Sequence, residues 1–236
     1  MNVFHRHLLL RHLRMCGIAL SVLFAVSLVQ GAPGMLEAVD GGSSSLLRGA
    51  GTVARAWCVA FGTVLPLALL LGTLFTVGDL ARYQELTALE AAGWSRLRIL
   101  SPLLLVAILA TLLLASMQLA DLVAPPGTHG PQSHGARAAE APIAAAALTE
   151  LHARLAHPLL GFLSVAVAIP LASTRRRVTV YSNFGMAMLV LLMYYIATAT
   201  LHALGRHGGL PPALAGWLGP ALLGAATLLL WLRPRR

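Results

Sequence analysis

The sequence predicts an all-α membrane protein with six transmembrane helices, both termini in the cytoplasm, and a short cytoplasmic helix between the second and third spans. Three observations carry this reading. The 236 residues are 58% apolar and only 11% charged, with a mean hydropathy of +0.78. A soluble domain is about 45–50% apolar and about 25% charged. So little charge cannot coat a globular surface, which excludes a soluble enzyme, a disordered tail and a coiled coil. Second, six stretches reach the roughly 18 mostly apolar, uncharged residues that a bilayer crossing requires. Third, the arginines divide unequally between the two sides those spans define.

The spans are expected at 15–35, 56–78, 99–120, 155–174, 178–204 and 210–232. The first follows Arg6, Arg11 and Arg14, a flank like that of a secretory signal, but Gln30-Gly31-Ala32-Pro33 is a poor cleavage site, so the span is read as retained. Residues 1–14 are expected as a cytoplasmic amphipathic N-terminus. The fourth span carries His157, Pro158 and Pro170. These are tolerable where neighbouring helices or water satisfy the backbone groups that proline frees. With six spans, one side holds 12 arginines (6, 11, 14, 82, 96, 98, 175, 176, 177, 233, 235 and 236) and the other holds 5 (48, 55, 137, 154 and 206). The positive-inside rule places the first set, and both termini, in the cytoplasm.

All 17 basic residues are arginine. Without lysine there is no Walker-A lysine, no Schiff base and no Ser-x-x-Lys nucleophile, so any ATP chemistry belongs to another chain. The net charge of +9 sits at the ends of apolar runs and forms no basic face interleaved with aromatics, so nucleic acid is not an expected partner. Cys16 and Cys58 lie inside apolar runs and read as small buried hydrophobes. The nine histidines show no metal-ligand spacing: His5, His7 and His12 neighbour arginines, and His129 and His134 have no carboxylate or cysteine cluster beside them. No metal or cofactor is expected. Residues 121–150, rich in Pro, Gly, His and Ala, are too short to bury a core of their own.

The informative segment is 82–98. Leu86 and Leu89 share one face at i, i+3, Arg82, Glu85 and Arg96 stay polar, and Gly93 can end the helix in a left-handed conformation. An amphipathic element of this kind at a membrane edge suits docking into a partner's groove; a solvated connector whose charges orient the spans explains it equally well.

The run Glu85-Leu86-Thr87-Ala88-Leu89, then Ala91-Ala92-Gly93-Trp94-Ser95 and Pro102, resembles the coupling-helix region of the LptF/LptG permease family. Three further stretches are similar to that family. They are Leu122-Val123-Ala124-Pro125 at the end of span 3, Glu150-Leu151-His152-Ala153-Arg154 with His157-Pro158 and Ile169-Pro170-Leu171 in span 4, and Gly208-Gly209-Leu210-Pro211-Pro212 with Trp217 before the last helix. The resemblance runs from about Leu65 to Trp231 and leaves out 121–150.

The resemblance implies the transmembrane subunit of an ABC-type exporter in the bacterial inner membrane, a permease and not itself an enzyme. Two such chains, identical or different, would rest their coupling helices on a cytoplasmic ATPase dimer and extract lipopolysaccharide or a related lipid. A single-span periplasmic bridge protein is a further partner that the family can add. By the same carry-over, Glu85 makes the main polar contact with the ATPase, Leu86 and Leu89 pack into its groove, Gly93 sets the exit of the helix, and Trp94 and Arg96 complete the coupling site. One departure stands out: family members carry a β-jellyroll between spans 3 and 4, where this chain has only 121–150.

Arg48, Arg55 and Arg154 are candidate lipid-phosphate contacts near the outer edge, because the guanidinium fork suits phosphate. Snorkelling to ordinary headgroups is the simpler reading of all three. Glu150 and Arg154, four apart, explain each other as a local pair. Asp79 is expected to pair with Arg82 at the inner end of span 2. Two other function classes stay in view: a permease for another (phospho)lipid, and a non-transporting permease-like scaffold. An intramembrane serine protease is not supported, because Gly161-Phe162-Leu163-Ser164 has the wrong spacing and the last span has no histidine.

Overall fold

The computed structural model describes the backbone of residues 3–39, 43–123, 140–173 and 180–232, and the side chains of 4–26, 60–119, 146–172, 182, 185–186 and 188–232. The described residues form eight α-helices: α1 Val3–Val39, α2 Ser43–Arg82, α3 Glu85–Ala91, α4 Arg96–Val123, α5 Glu140–Ala156, α6 Leu159–Ser173, α7 Val180–Arg206 and α8 Pro212–Leu232. Five of them are long and apolar enough to cross a membrane. A sixth crossing arises if α5 and α6, bent by 51° at His157-Pro158, count as one span.

The apolar windows are Phe4–Val26, Ala60–Arg82, Arg96–Leu119, Met188–Arg206 and Pro212–Leu232. The expected first span, 15–35, falls within α1, which runs without a break from Val3 to Val39. Its first charge inside the bundle is met by a neighbour: Arg11 Nη2 donates to Asp79 Oδ2 on α2 at 3.0 Å. The expected partner Arg82 is instead stacked over Tyr83, 5.8 Å from the ring centre. Asp79 points across to α1 because the two helices run antiparallel in close contact, which brings a cation nearer than one on its own helix can come. A Cβ on Gly72 would lie 2.3 Å from Cys16 Sγ and 2.9 Å from Cys16 N, so this contact depends on glycine.

α2 and α6 form the centre. Thr73, Leu74 and Val77 of α2 and Val165, Ala168 and Ile169 of α6 are fully buried, and α4 adds Ile99, Leu100, Leu103 and Ala107. α1, α7 and α8 pack around this centre, and α5 lies against α7 and α8. Large apolar side chains face outward on α1 (Ile18, Val22), α4 (Leu105, Leu109, Leu112), α7 (Leu189, Leu192, Met193) and α8 (Leu222, Leu229). Hydrocarbon accommodates such a surface and water does not.

Two prolines inside helices show how the bundle tolerates them. Pro170 has no N–H, which frees the carbonyl of Ala166 four residues back. Trp231 Nε1 of α8 donates to that oxygen at 3.0 Å. Pro102 likewise frees the Arg98 carbonyl, which accepts from Ser101 Oγ at 2.9 Å and lies 3.0 Å from His5 Nε2 of α1. A carbonyl can only accept, so His5 carries its proton on Nε2 in this contact.

Candidate functional site

One end of the bundle gathers the start of α1, the end of α2, all of α3 and the start of α4. α2 stops at Arg82, and the chain turns through Gln84, which holds φ +60°, a left-handed conformation that a non-glycine residue seldom adopts. Glu85 opens α3, where a carboxylate complements the exposed N–H groups and positive end of the helix.

The exit of α3 is a Schellman turn. Gly93 sits at φ +85°, its N–H bonds Glu90 O at 3.0 Å, and the Trp94 N–H bonds Leu89 O at 3.1 Å. This double closure satisfies carbonyls that a seven-residue helix would otherwise leave open. Trp94 and Leu89, the two positions that commonly touch in this motif, both pack against the core. Arg96 Nε pairs with Glu90 Oε1 across the turn, fastening α3 to the first residue of α4.

Each expected coupling residue is therefore placed. Glu85 is exposed, with its carboxylate 4.0 Å from Arg11 Nη1. Gly93 ends the helix as its conformational freedom predicts. Trp94 is half-buried, and Arg96 is engaged by Glu90. Leu86 and Leu89, expected to enter a partner's groove, are arranged differently: Leu86 is 3% exposed within the chain's own core, and Leu89 packs against that core. The apolar stripe of a two-turn helix finds the bundle first, since the bundle is tethered at both its ends. What faces away is Glu85 with Thr87, Ala88, Ala91 and Ala92, all exposed. Apart from the carboxylate at one edge, this is a face of small side chains.

The part that α1 plays in this region has no local signal in the residues. Phe4 lies edge-on to Trp94, with ring centres 6.2 Å apart, and His5 is 5.9 Å from the same indole. With Leu8 buried and Arg11 between Asp79 and Glu85, the first turns of α1 line one side of the α3 region. Pro102 signalled that a carbonyl was free, but nothing local named His5 as its donor.

At the other end, Arg154 Nε donates to Glu150 Oε1 at 3.1 Å, the expected i, i+4 pair. Arg206 of α7 adds an ion pair with Glu150 Oε2 at 3.7 Å. Thr149 and His152 are pressed against glycines of the neighbouring helices: a Cβ on Gly205 would meet Thr149 at 3.0 Å, and one on Gly216 would meet His152 Cβ at 2.6 Å. The side chains of Arg48 and Arg55 lie outside the described residues, as do Arg137, His129 and His134.

Comparison with known proteins adds a family. The pattern described as lipopolysaccharide export system permease LptF/LptG matches residues 13–130 and 131–233. The two matched stretches meet inside the segment between α4 and α5. No curated protein matches the chain.

Proposed function

We infer the function from the premise that this chain belongs to the LptF/LptG family of lipopolysaccharide export system permeases, which it matches from residue 13 to 233. It is a multi-pass inner-membrane permease component of lipopolysaccharide export, in a form without the family's periplasmic domain: only residues 124–139 separate α4 from α5. Beyond that, we propose that α3 is the coupling helix through which a separate cytoplasmic ATPase dimer drives the chain, paired with a second permease of the same family. The α3 end then faces the cytoplasm with both termini, as the arginine distribution requires.

The observation that carries this proposal is the build of α3. It is a short helix, closed at its exit by the Gly93 turn, anchored inward by Leu86 and Leu89 and presenting a carboxylate beside small residues outward. Small side chains let another protein's groove approach the backbone, and one charge at the edge fixes register. Glu85 is the polar contact with the ATPase, Leu86 and Leu89 hold the helix to the permease, Gly93 and Trp94 set its exit, and Arg96 locks that exit through Glu90. Arg154 is the outer-edge lipid candidate with described contacts; it pairs with Glu150, whose second carboxylate oxygen takes Arg206. Arg48 and Arg55 remain candidates on the α2 backbone.

The short segment between α4 and α5 favours a second reading of the cargo. Without a jellyroll to receive lipid, either a partner supplies that surface or the transported lipid is another (phospho)lipid. Gentle purification of the tagged chain, with identification of co-purifying protein and lipid, separates these. A lipid A-type lipid with an ABC ATPase supports lipopolysaccharide, whereas phospholipid alone with the ATPase changes the cargo. In the same preparation, Glu85→Ala is expected to insert normally, to retain about a tenth or less of the ATPase, as losing a charged contact of about 1.4 kcal/mol or more implies, and to lose ATP-driven lipid release. Full ATPase retention by Glu85→Ala removes Glu85 from the coupling site. Absence of an ATPase from the wild-type preparation favours the scaffold reading.

A further inference from the structure

We propose that the first turns of α1 belong to the coupling machinery: α1 and α3 move as one body, and Arg11 is the positioning residue that ties them. The inference rests on the reading of α3 as the coupling helix.

Three contacts of different chemistry join α1 to the α3 region. Phe4 and His5 flank Trp94, at 6.2 and 5.9 Å between ring centres. His5 Nε2 donates to the Arg98 carbonyl that Pro102 leaves free. Arg11 sends Nη2 to Asp79 at 3.0 Å and Nη1 toward Glu85 at 4.0 Å. These contacts fall at both ends of α3, the last residues of α2 and Glu85 on one side and Trp94 with the first turn of α4 on the other. A packing contact between α1 and α2 alone would need only the Asp79 pair and the Cys16–Gly72 approach. The Glu85 branch and the Trp94 cluster reach past α2 to the element that an ATPase would push.

The chemistry of Arg11 suits this role. A guanidinium presents separate N–H groups to two carboxylates at once, whereas an ammonium is a single point charge. Asp79 anchors the side chain, and the free arm biases Glu85 toward one position before any partner docks. Glu85, about half exposed, keeps enough solvent contact to accept a second cation from the ATPase. A push on α3 is then passed to the first membrane span directly, through its own N-terminal turns, as well as through α2 and α4.

The test uses the full chain with its ATPase in lipid nanodiscs and reads ATPase retention and ATP-driven lipid release separately. Arg11→Gln is expected to keep ATPase binding within about threefold and to lower lipid release by about threefold to tenfold, the range that loss of a partly exposed ion-pair network allows. Arg11→Lys keeps the Asp79 pair and carries the test if Arg11→Gln does not fold; its release is expected to fall about twofold to fivefold, within the same range. Unchanged release in the folded variant overturns the role of Arg11. Phe4→Cys with Trp94→Cys, in a background with Cys16→Ala and Cys58→Ala, allows α1 to be cross-linked to the α3 exit. Transport that survives cross-linking supports movement as one body. Transport that stops while the ATPase stays bound shows that the two must part, and overturns it. If the wild-type chain retains no ATPase, the coupling reading has failed, and this inference fails with it.

Discussion

At the scale of single residues, the bundle is governed by where freed backbone groups find partners. Hydrocarbon offers no water to an open carbonyl, so a carbonyl freed by a proline inside a span gains from a donor on another helix. Trp231 is such a donor for Ala166, and His5 with Ser101 serves Arg98. Trp231→Phe keeps the ring's volume in large part and removes the N–H, so it isolates the hydrogen bond. The expected cost is about 1 kcal/mol of stability in mild detergent, typical for a hydrogen bond between membrane helices. Reversible unfolding measures it, and a variant as stable as the wild type shows that Ala166 needs no indole. Pro170 could be seen in the sequence as a problem to be solved. Trp231, 61 positions away in numbering, could not be seen as the solution, because only the packing of α8 on α6 brings it there.

At the scale of elements, glycine decides both a helix end and a close interface. Gly93 holds φ +85° with nothing within 4 Å of where a Cβ would sit, so Gly93→Ala meets no steric clash and its cost is conformational alone. That cost is about 1–2 kcal/mol for a left-handed residue with a Cβ. Faster hydrogen exchange across α3, with the spans unaffected, is the expected sign; unchanged exchange means that the Glu90–Arg96 pair by itself holds the turn. Gly216 is the opposite case. A Cβ there would lie 2.6 Å from His152 Cβ and 2.8 Å from the His152 carbonyl carbon, so Gly216→Ala must push α5 away from α8. Overpacking of this kind costs about 1–3 kcal/mol, and a thermal scan in detergent checks it. The helix end was legible in the sequence, because a glycine after a short amphipathic run has a local meaning. The α5–α8 contact was not, because Gly216 lies in an apolar run like any other and its neighbour is set by the bend at His157-Pro158.

At the scale of the whole molecule, the arrangement predicts which end faces which compartment. A cysteine replacing Ala92, exposed beside Gly93, is expected to react with membrane-impermeant thiol reagents only from the cytoplasm, and one replacing exposed Gly208 only from outside. Labelling in the reverse sense overturns the orientation proposed from the 12 to 5 arginine asymmetry. The outward apolar faces of α1, α4, α7 and α8 fit a molecule whose solvent is lipid along its sides and water only at its two ends.

The sequence alone settles the class of molecule, because hydropathy and charge are sums that need no contacts to be evaluated. It also showed a short helix within 82–98 and its glycine end, because the apolar pair and Gly93 act within one or two turns, whereas the start at Glu85 and the share of 82–98 that α2 and α4 take came from the structure. It also carried the family resemblance, since the motif residues cluster at the ends of spans where chain direction is already constrained. Tertiary structure alone decided who answers each charge and each freed carbonyl. Asp79 went to Arg11 and not to Arg82, and Leu86 turned into the bundle, because a buried group takes the partner that packing brings closest, and closeness in space is not encoded by spacing along the chain.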